Sequence, residues 1–507
     1  MAPKLKPKEV VSFYYKPHDT LQHHFVCLCS RVREQKGTGH TNLMDHIKRE
    51  HKDYEARVIE ARQAGSDRSV FRSIVVSSKG KKIFQWMETV IGDLQPFSFV
   101  EKEYVRKNMQ PPPICTETLV KYMLKLTEVV EKKIEKELPD LFALVFDGWS
   151  NGSSHMVATF ASFPSSDKNG HKQRLISFST LEDETTQSAD EHGKHLDYVL
   201  GCYNKSWSNV VALVGDNCSV NKRLASNKGL PLVGCASHRY NLAVQKCVAK
   251  HEPLLEKINR LMTKLKHGLP AAKLRKHTPL SAINRNKTRW SSSFHMLERY
   301  LAIKEFVLKL EDAAIDDLAL MPSENRAASR LLESLKELEE VTRLLQAKER
   351  TVLQARDLQD ETVRSFPELA SSLSPTATII HSPLFERALC RIQAGEDDLM
   401  TDGEKESVKC LLKSGASATP AETPRRLSIG ERALKRRKVC NIGASKRYTD
   451  TRFICPTSNV CERFFSVAGA AIGDLRRRVH TENIESQMFL HCNMDLWGVI
   501  DVNNALI

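Results

Sequence analysis

The chain has 507 residues, of which 41% are hydrophobic, and it carries a net charge of +14. This length allows several domains with a large core, and the basic charge favours an anionic partner, most often nucleic acid. The 13 scattered cysteines do not form the pattern of a disulfide framework. Apolar runs of no more than strand length predict no membrane span, and no secretory segment follows Met1, which predicts a reducing intracellular compartment.

The first unit, residues 1–60, is predicted to bind one zinc ion. A short strand-like segment carries two cysteines, and a glycine-containing turn then leads to a helix with two histidines. Two thiolates and two imidazoles make the tetrahedral ligand set that zinc prefers. The predicted ligands are Cys27, Cys29, His46 and His51.

The spacing of the two cysteines leaves part of this ligand set open. One residue separates them, whereas paired zinc ligands usually have two to four residues between them. His40, His23 or His24 is therefore an alternative ligand, and a surface helix with unliganded histidines is the alternative for the whole unit. Basic residues around the helix are predicted either to contact DNA phosphates or to be solvated. They are Arg31, Arg33, Lys36, Lys48, Arg49 and Lys52.

Residues 61–137 are predicted to form a small helical subdomain. Apolar residues recur at helical spacing within 83–91 and again within 119–134. A run of three prolines separates the two stripes. We find no candidate for chemistry in this part of the sequence.

From about residue 138 to residue 300 the hydrophobic period changes to that of β-strands, which predicts an α/β fold. Three strands follow one another closely, and a strand, a helix and a further strand come next. This order is that of an RNase H-like fold. The predicted strands are 141–147, 155–163, 174–181, 209–216 and 230–235, and the helices are 190–200 and 219–226.

Two aspartates end apolar strand runs and are predicted to lie side by side. Asp147 ends the first strand and Asp216 the fourth, and these strand ends are neighbours in an RNase H-like sheet. Near the C-terminus, Glu462 lies in the first turns of a predicted helix that Ser458 or Asn459 can cap. A carboxylate beside apolar residues is costly to bury unless it meets a cation. We therefore predict that Asp147, Asp216 and Glu462 hold a divalent metal pair that cuts and joins DNA.

Two further motifs between these carboxylates have alternative interpretations. Cys235 and His238 begin a predicted helix that extends to about Lys266. Either the cysteine is a core residue and the histidine caps the helix, or His238 lies near the phosphate that is cut. Arg289 precedes Trp290, which either belongs to the core or stacks on an unpaired base.

Residues 301–449 are predicted to be all-helical as far as about residue 395. From 396 the composition becomes polar, which predicts a flexible loop. A basic cluster at 435–438 in this loop is either a nuclear localisation signal or a phosphate contact. Residues 450–507 return to helical periodicity, with an apolar face that includes Phe489, Leu490 and Trp497.

Taken together and in order, these motifs resemble those of hAT-superfamily DNA transposases, with a BED-type zinc finger at the N-terminus. The resemblance spans most of the chain and implies an RNase H-like core interrupted by an all-α insertion. It also implies that 450–507 contains a C-terminal dimerisation region. The matching motifs are Phe146-Asp147-Gly-Trp-Ser, Gly215-Asp216-Asn, Cys235-Ala-Ser-His238, Arg289-Trp290 and Ser458-Asn-Val-Cys-Glu462-Arg-Phe-Phe-Ser466.

The function that this resemblance implies is cut-and-paste transposition. Asp147, Asp216 and Glu462 would bind Mg²⁺ or Mn²⁺, His238 would assist at the scissile phosphate, and Trp290 would stack on a flipped base. Double-stranded DNA and a second copy of the chain would be the partners, in the nucleus. The alternative is a domesticated or inactive transposase-derived regulator that retains DNA binding and dimerisation. An RNase H or exonuclease is disfavoured by the finger and the dimerisation region.

Overall fold

The structure is a computed structural model, and its chain divides into two compact units, Met1–Lys133 with Ala471–Ile507, and Ile134–Ala470. No described helix is both long enough and apolar enough to cross a membrane. The predictions for Lys36, for the basic cluster at 435–438 and for most of the polar loop lie outside the described residues. The described residues are 5–18, 23–29, 31–35, 39–63, 77–151, 154–165, 170–286, 289–310, 312–413, 447–472 and 481–506.

The N-terminal part of the first unit is a small α/β module around its own core. Its three strands form an antiparallel sheet in the order β1-β2-β3. Buried side chains of the helices and strands, including Tyr14, Leu43 and Ile47, pack together beside this sheet. The elements are α1 Pro7–Tyr14, β1 Tyr15–Pro17, β2 His24–Cys27, β3 Val32–Glu34, α2 Thr41–Glu50 and α3 Tyr54–Gln63.

A helical part of the first unit follows, as the two amphipathic stripes predict. Ser77 caps its first helix, because the hydroxyl oxygen accepts a hydrogen bond of 2.9 Å from the backbone N–H of Gly80. Ile83, Met87 and Ile91 of the first stripe are buried. The helices are α4 Ser78–Gly92, α5 Glu103–Asn108 and α6 Thr116–Glu137, with a 3₁₀ turn at Phe97–Glu101.

The second unit contains a five-stranded mixed sheet in the order β6-β5-β4-β7-β8. The β4–β5 and β5–β6 pairs are antiparallel, whereas β4–β7 and β7–β8 are parallel. The strand predictions are confirmed, with shifted ends. The elements are β4 Phe142–Asn151, β5 Ser154–Pro164, β6 His171–Thr180, α7 Ala189–Cys202, β7 Val210–Gly215, α8 Ser219–Lys228 and β8 Leu232–Gly234.

The first strand of this sheet does not end at Asp147, contrary to the prediction. It continues to Asn151 because it forms a hairpin with β5, in which Asn151 pairs with Ser154. Its parallel pairing with β7 stops earlier, at Val145 and Val214. Asp147 therefore lies just beyond the last residue that pairs with β7.

Helices after the sheet share one hydrophobic core from Ala236 to Leu373, so this core begins well before the predicted boundary at 301. The long helix predicted up to Lys266 is broken by a 3₁₀ turn at Ala249–His251, and Pro253 follows in the first turn of the next helix. The helices are α9 Ala236–Val248, α10 Glu252–Lys266, α11 Gly268–Arg275, α12 Trp290–Val307, α13 Ala313–Asp316, α14 Pro322–Gln346, α15 Val352–Ser365, α16 Ala370–Leu373, α17 Pro383–Ala394 and α18 Asp402–Ser407.

The beginning of the predicted polar loop is helical. Thr401 and Glu404 form a capping box at the start of α18, with hydrogen bonds of 3.3 and 2.8 Å between side chain and backbone. Glu404 is buried and forms ion pairs with Arg387 and Arg391 of α17. Polar composition therefore did not indicate a loop here, because the polar side chains satisfy one another.

The C-terminal segment is divided between the two units. Helix α19, Asn459–Ile472, packs almost wholly in the second unit, whereas α20, Thr481–Cys492, and α21, Val499–Asn504, pack in the first. The side-chain amide of Gln487 donates hydrogen bonds of 2.9 Å to the carbonyl oxygens of Val90 and Gln95. The face that motivated a dimerisation region is covered within the chain. Phe489, Leu490 and Trp497 are buried.

Candidate metal centres

The four predicted zinc ligands lie together in the N-terminal module. Their donor atoms are all within 4.8 Å of one another. The Sγ atom of Cys27 is 3.3 Å from Nε2 of His51, and Sγ of Cys29 is 3.3 Å from Nε2 of His46. Around a tetrahedral zinc ion, sulfur and nitrogen ligands are about 3.5 Å apart. Both the donor set and its spacing therefore fit zinc.

The local structure explains how closely spaced cysteines enter one site. Cys27 is the last residue of β2, and Cys29 follows in the turn before β3. His46 lies on the buried side of α2, and His51 directly follows its last residue. His40, one of the alternative ligands, instead has its Nδ1 atom 3.2 Å from the amide nitrogen of Gln35.

Burial opposes the ionised thiol in this cluster when no cation is present. It raises the pKa of the Cys27 thiol to about 11 and lowers the pKa of His46. Zinc binds the thiolate and the neutral imidazole, so metal binding must release the thiol proton. The module therefore has the chemistry of a pH-dependent metal site.

The helix that supplies the histidines has two distinct faces. Leu43, Met44, His46 and Ile47 are buried, whereas the opposite face is exposed at spacings of three and four residues. That exposed face includes both predicted phosphate contacts, Lys48 and Arg49. Its members are Thr41, Asn42, Asp45, Lys48 and Arg49.

In the second unit, aromatic packing fixes α19 against the sheet. The ring of Phe465 stacks on Trp149 of β4 with centroids 5.9 Å apart and planes inclined by 11°. Phe464 meets Phe178 of β6 edge to face at 4.8 Å. The buried thiol of Cys461 is 3.9 Å from the carbonyl oxygen of Val145. The residue after Cys461, Glu462, is therefore held over the part of the sheet that carries Asp147.

The start of α19 differs from the prediction that Ser458 or Asn459 caps it. Asn459 instead donates from its side chain to Ser237 Oγ at 3.0 Å and to the carbonyl oxygen of Leu345 at 3.1 Å. The hydroxyl oxygen of Ser458 is buried and has no hydrogen-bond partner among the described residues, while its backbone N–H contacts Cys235 Sγ at 3.4 Å. The helix start is thus fixed by contacts with α9 and α14 rather than by a local cap.

Two of the predicted catalytic carboxylates are paired with cationic side chains. Nδ1 of His238 is 3.0 Å from Oδ2 of Asp216, and a guanidinium nitrogen of Arg289 is 2.9 Å from Oε2 of Glu462. Asp147 accepts a hydrogen bond of 2.9 Å from the backbone N–H of Gly148. His238 therefore interacts with a carboxylate, which corrects the alternative that it caps its helix.

These groups act on one another electrostatically. Burial raises the pKa of Asp147 to about 7, and the charges of Asp216 and Glu462 add to this rise. The hydrogen bond to Asp216 raises the pKa of His238. Among the described residues, the compact group of potential metal ligands is the cysteine–histidine cluster. The carboxylates are neighbours that are not drawn together to the same degree, as expected for like charges without a shared cation.

The oxygen donors of this second cluster fit a hard divalent ion such as Mg²⁺. An additional polar group, which the sequence reasoning did not assign, is Asn217. Both polar atoms of its side chain are buried without a hydrogen-bond partner in the described part of the chain. A Cβ atom at Gly234 would lie 1.9 Å from Asn217 Oδ1, so a glycine is required there. The position directly after Asp216 was the available sequence signal for this residue.

The structure distinguishes between the alternatives for the remaining motif residues. Trp290 is 2% exposed and belongs to the helical core, with its ring centroid 6.4 Å from that of Phe294. This favours the core interpretation and corrects the expectation that Trp290 stacks on a base. Arg289 remains 64% exposed despite its ion pair. Cys235 is fully buried, which agrees with a core cysteine.

Comparison with known proteins identifies one relative by sequence. The chain is 24% identical over 445 residues to human zinc finger BED domain-containing protein 4, covering 75% of this chain and 38% of that protein. The chain thus spans less than two fifths of the length of this relative. No protein-family profile matches the sequence. The similarity and the cysteine–histidine cluster together confirm the predicted resemblance to BED zinc-finger proteins.

Among solved structures, the chain overlaps with a chain of the Drosophila P element transposase strand transfer complex. The overlap covers 90% of this chain and 100% of that chain, with 11% sequence identity and a TM-score of 0.35. A similarity at this level does not establish a shared fold or site.

Proposed function

We propose that this protein is a zinc-finger DNA-binding transposase of the hAT type, with an RNase H-like sheet interrupted by a helical insertion. In this proposal, Asp147, Asp216 and Glu462 support metal-dependent cleavage and transfer of DNA strands. The observation that carries the proposal is the electrostatic coupling of three carboxylates that are 69 and 246 positions apart in the sequence, counted from Asp216 to its two partners. A fold that gathers acids from such distant positions, at a cost in repulsion, is typical of a metal-dependent site.

DNA binding is assigned to the N-terminal module. The BED zinc finger in the name of the human relative agrees with the ligand cluster found here. The exposed face of α2 carries Lys48 and Arg49 near its end, where they are suited to phosphate contacts, and Thr41 and Asn42 at its start, where they are suited to base edges. The net charge of +14 supplies further sequence-independent attraction to DNA.

Catalysis is assigned to the carboxylate cluster. When bound, a pair of divalent ions would activate the attacking oxygen and stabilise the leaving oxygen. Asp147, Asp216 and Glu462 would be the residues that hold these ions. His238 orients Asp216 through Nδ1, which leaves Nε2 as the ring nitrogen that can donate to a phosphate oxygen. The unpartnered amide of Asn217 is a further candidate for a contact with substrate.

The test is a nicking assay on duplexes that carry candidate terminal sequences, with Mg²⁺ or Mn²⁺, and a binding assay on the same DNA. Asp147→Asn, Asp216→Asn and Glu462→Gln should each abolish cleavage and leave DNA binding nearly unchanged, because each substitution removes one ligand charge but keeps the shape. Asp317→Asn, at an exposed position, is the matched control. Cleavage that survives in Glu462→Gln would remove this residue from the site.

A second candidate function is a DNA-binding regulator derived from a transposase, and the ion pair between Arg289 and Glu462 favours it. A carboxylate held by an arginine does not need a metal ion for neutralisation. In that case the wild-type protein should bind DNA through the zinc module without cleaving it. The same two assays distinguish the candidates, because the regulator predicts binding without cleavage at any concentration of divalent ions.

Self-association and nuclear localisation belong to this proposal. Transposition requires that two DNA ends are held together, which a homodimer provides. Phe489, Leu490 and Trp497 are covered within the chain, so a dimer interface would use other residues of 450–507 or the helical insertion. Light scattering on the full chain tests association, and imaging of a tagged protein tests localisation.

A further inference from the structure

A cavity of about 220 Å³ lies in the second unit, apart from both candidate metal centres. Residues from the start of α9 and from α15 and α17 line it. Apolar side chains, among them Val233, Val352 and Ala355, form part of its wall and are themselves buried. The volume suits a small molecule rather than a macromolecule.

The wall of this cavity also contains buried N–H donors that lack an acceptor. They are Nε of Arg239, Nε of Arg356 and Nε2 of Gln359, each without a hydrogen-bond partner in the described part of the chain. Arg239 is 4% exposed and Gln359 is 1% exposed. A buried donor without an acceptor costs stability, so three of them around one cavity indicate a ligand that supplies acceptors.

Positive charge predominates at the cavity. Four arginines line it, whereas its two lining carboxylates are Asp360 and Glu386. Glu386 is 3.4 Å from the guanidinium of Arg239, and Asp360 is 2.8 Å from that of Arg356. The remaining two arginines share one more carboxylate, that of Glu404. The arginines therefore outnumber the acids even when Glu404 is included.

We propose that this cavity binds the phosphate group of a small phosphomonoester. A phosphate dianion offers three strong acceptor oxygens, which matches three unpartnered donors, and arginine guanidinium groups suit such oxygens geometrically. A carboxylate has two oxygens and would leave one donor unpaired. The apolar part of the wall faces the organic portion of the ligand. This site goes beyond the proposed function and does not depend on cleavage activity.

The cavity is connected to the carboxylate cluster through one helix. Arg239 lines the cavity, and the preceding residue, His238, contacts Asp216. Glu386 also approaches the backbone N–H of Gly234 at 3.4 Å, at the end of β8. A ligand that binds Arg239 would therefore act on the same helix start that holds His238.

The experiment is isothermal titration calorimetry of the full-length protein at constant ionic strength. Inorganic phosphate and glycerol 3-phosphate are the probes, and acetate is the carboxylate comparison. Both phosphates should bind saturably. Gln359→Leu and Arg356→Gln should each weaken phosphate binding about tenfold or more, because each loses a hydrogen bond to a charged acceptor. Arg364→Gln, on the same helix but 73% exposed and outside the cavity, should bind as the wild type does.

Several results would overturn the assignment. Equal phosphate affinity in Gln359→Leu and wild type would exclude the cavity, and so would the absence of saturable binding. Tighter binding of acetate than of phosphate would identify a carboxylate site instead. Displacement of bound phosphate by duplex DNA would mean that the cavity contacts the DNA backbone. Circular dichroism checks the fold of each variant, and Gln359→Leu, which removes no charge, keeps the test valid if Arg356→Gln does not fold.

Discussion

His238 and Asp216 form a hydrogen bond of 3.0 Å between Nδ1 and Oδ2. His238 is in the first turn of α9 and Asp216 directly follows β7, so the contact joins the end of a central strand to the helix after β8. Because Nδ1 is used by the carboxylate, the tautomer and the orientation of the ring are fixed. The arrangement holds Asp216 in place and leaves one ring nitrogen for a substrate oxygen.

Replacing this histidine should impair catalysis without affecting DNA affinity. We expect His238→Gln to reduce strand cleavage about a hundredfold or more, the typical contribution of a positioned acid–base group, because the substitution loses the ring that orients Asp216. The rate in the nicking assay at saturating metal gives the effect. His267→Gln, at an exposed position, is the control. An unchanged rate in His238→Gln would leave the histidine with a structural role.

The ion pair between Arg289 and Glu462 should compete with a metal ion. Arg289→Gln is expected to tighten Mn²⁺ binding in the absence of DNA by up to about fivefold, the range of an exposed ion pair. Arg463→Gln removes a neighbouring exposed arginine on α19 and serves as the control. Manganese titration followed by electron paramagnetic resonance measures the difference. Weaker Mn²⁺ binding in Arg289→Gln would show that the arginine supports the site instead of occupying it.

The zinc module should lose its metal when one ligand is removed. Cys29→Ser and His46→Ala are each expected to reduce the bound zinc of the full-length protein from one ion to a weakly held fraction, because a structural zinc ion needs four ligands. Cys115→Ser replaces an exposed cysteine outside the cluster, and His40→Ala removes the alternative ligand. Both should retain zinc by inductively coupled plasma mass spectrometry. Loss of zinc in His40→Ala, with retention in His46→Ala, would revise the ligand set.

Sequence periodicity predicted the elements that depend on local patterning. The strands that carry Asp147 and Asp216 were recognisable as apolar runs, and the zinc ligands by their order along the chain. Contacts between distant residues could not be predicted in this way. The ion pair between Arg289 and Glu462 joins residues 173 positions apart, and the burial of Trp290 depends on helices that follow it. The break before Pro253 and the capping box at Thr401 were local signals that the analysis missed.

Leu490 should contribute to folding of the first unit rather than to association. Its side chain is 0% exposed, and its carbonyl oxygen accepts a hydrogen bond of 3.0 Å from the Trp497 indole. Leu490→Ala should lower the free energy of unfolding by about 2–5 kcal/mol through the cavity it creates. Urea denaturation measures this change, and Leu308→Ala, at a 75% exposed leucine, should be nearly neutral. A decrease in mass by light scattering without destabilisation would instead assign Leu490 to a dimer interface.

Asp147 should make the metal-free protein less stable as the pH rises. Its pKa is raised from 3.8 to about 7 in the folded state, so between about pH 4 and pH 7 the folded protein binds more protons than the unfolded chain, and the free energy of unfolding falls as the pH increases. Asp147→Asn removes this titration. At pH 8 with a chelator present, the variant should be more stable than the wild type by on the order of 2 kcal/mol, whereas at pH 4 the two should be similar.

Urea denaturation and hydrogen exchange of the β4 amides, each across this pH range, measure the effect of Asp147. Adding Mg²⁺ at pH 8 should stabilise the wild type more than Asp147→Asn, because the ion neutralises the carboxylate and binds the folded state. Asp317→Asn, at an exposed position, should show neither response. A wild-type protein whose stability is the same at pH 5 and pH 8, with no difference from Asp147→Asn, would mean that Asp147 is not held among like charges and is not part of a metal site.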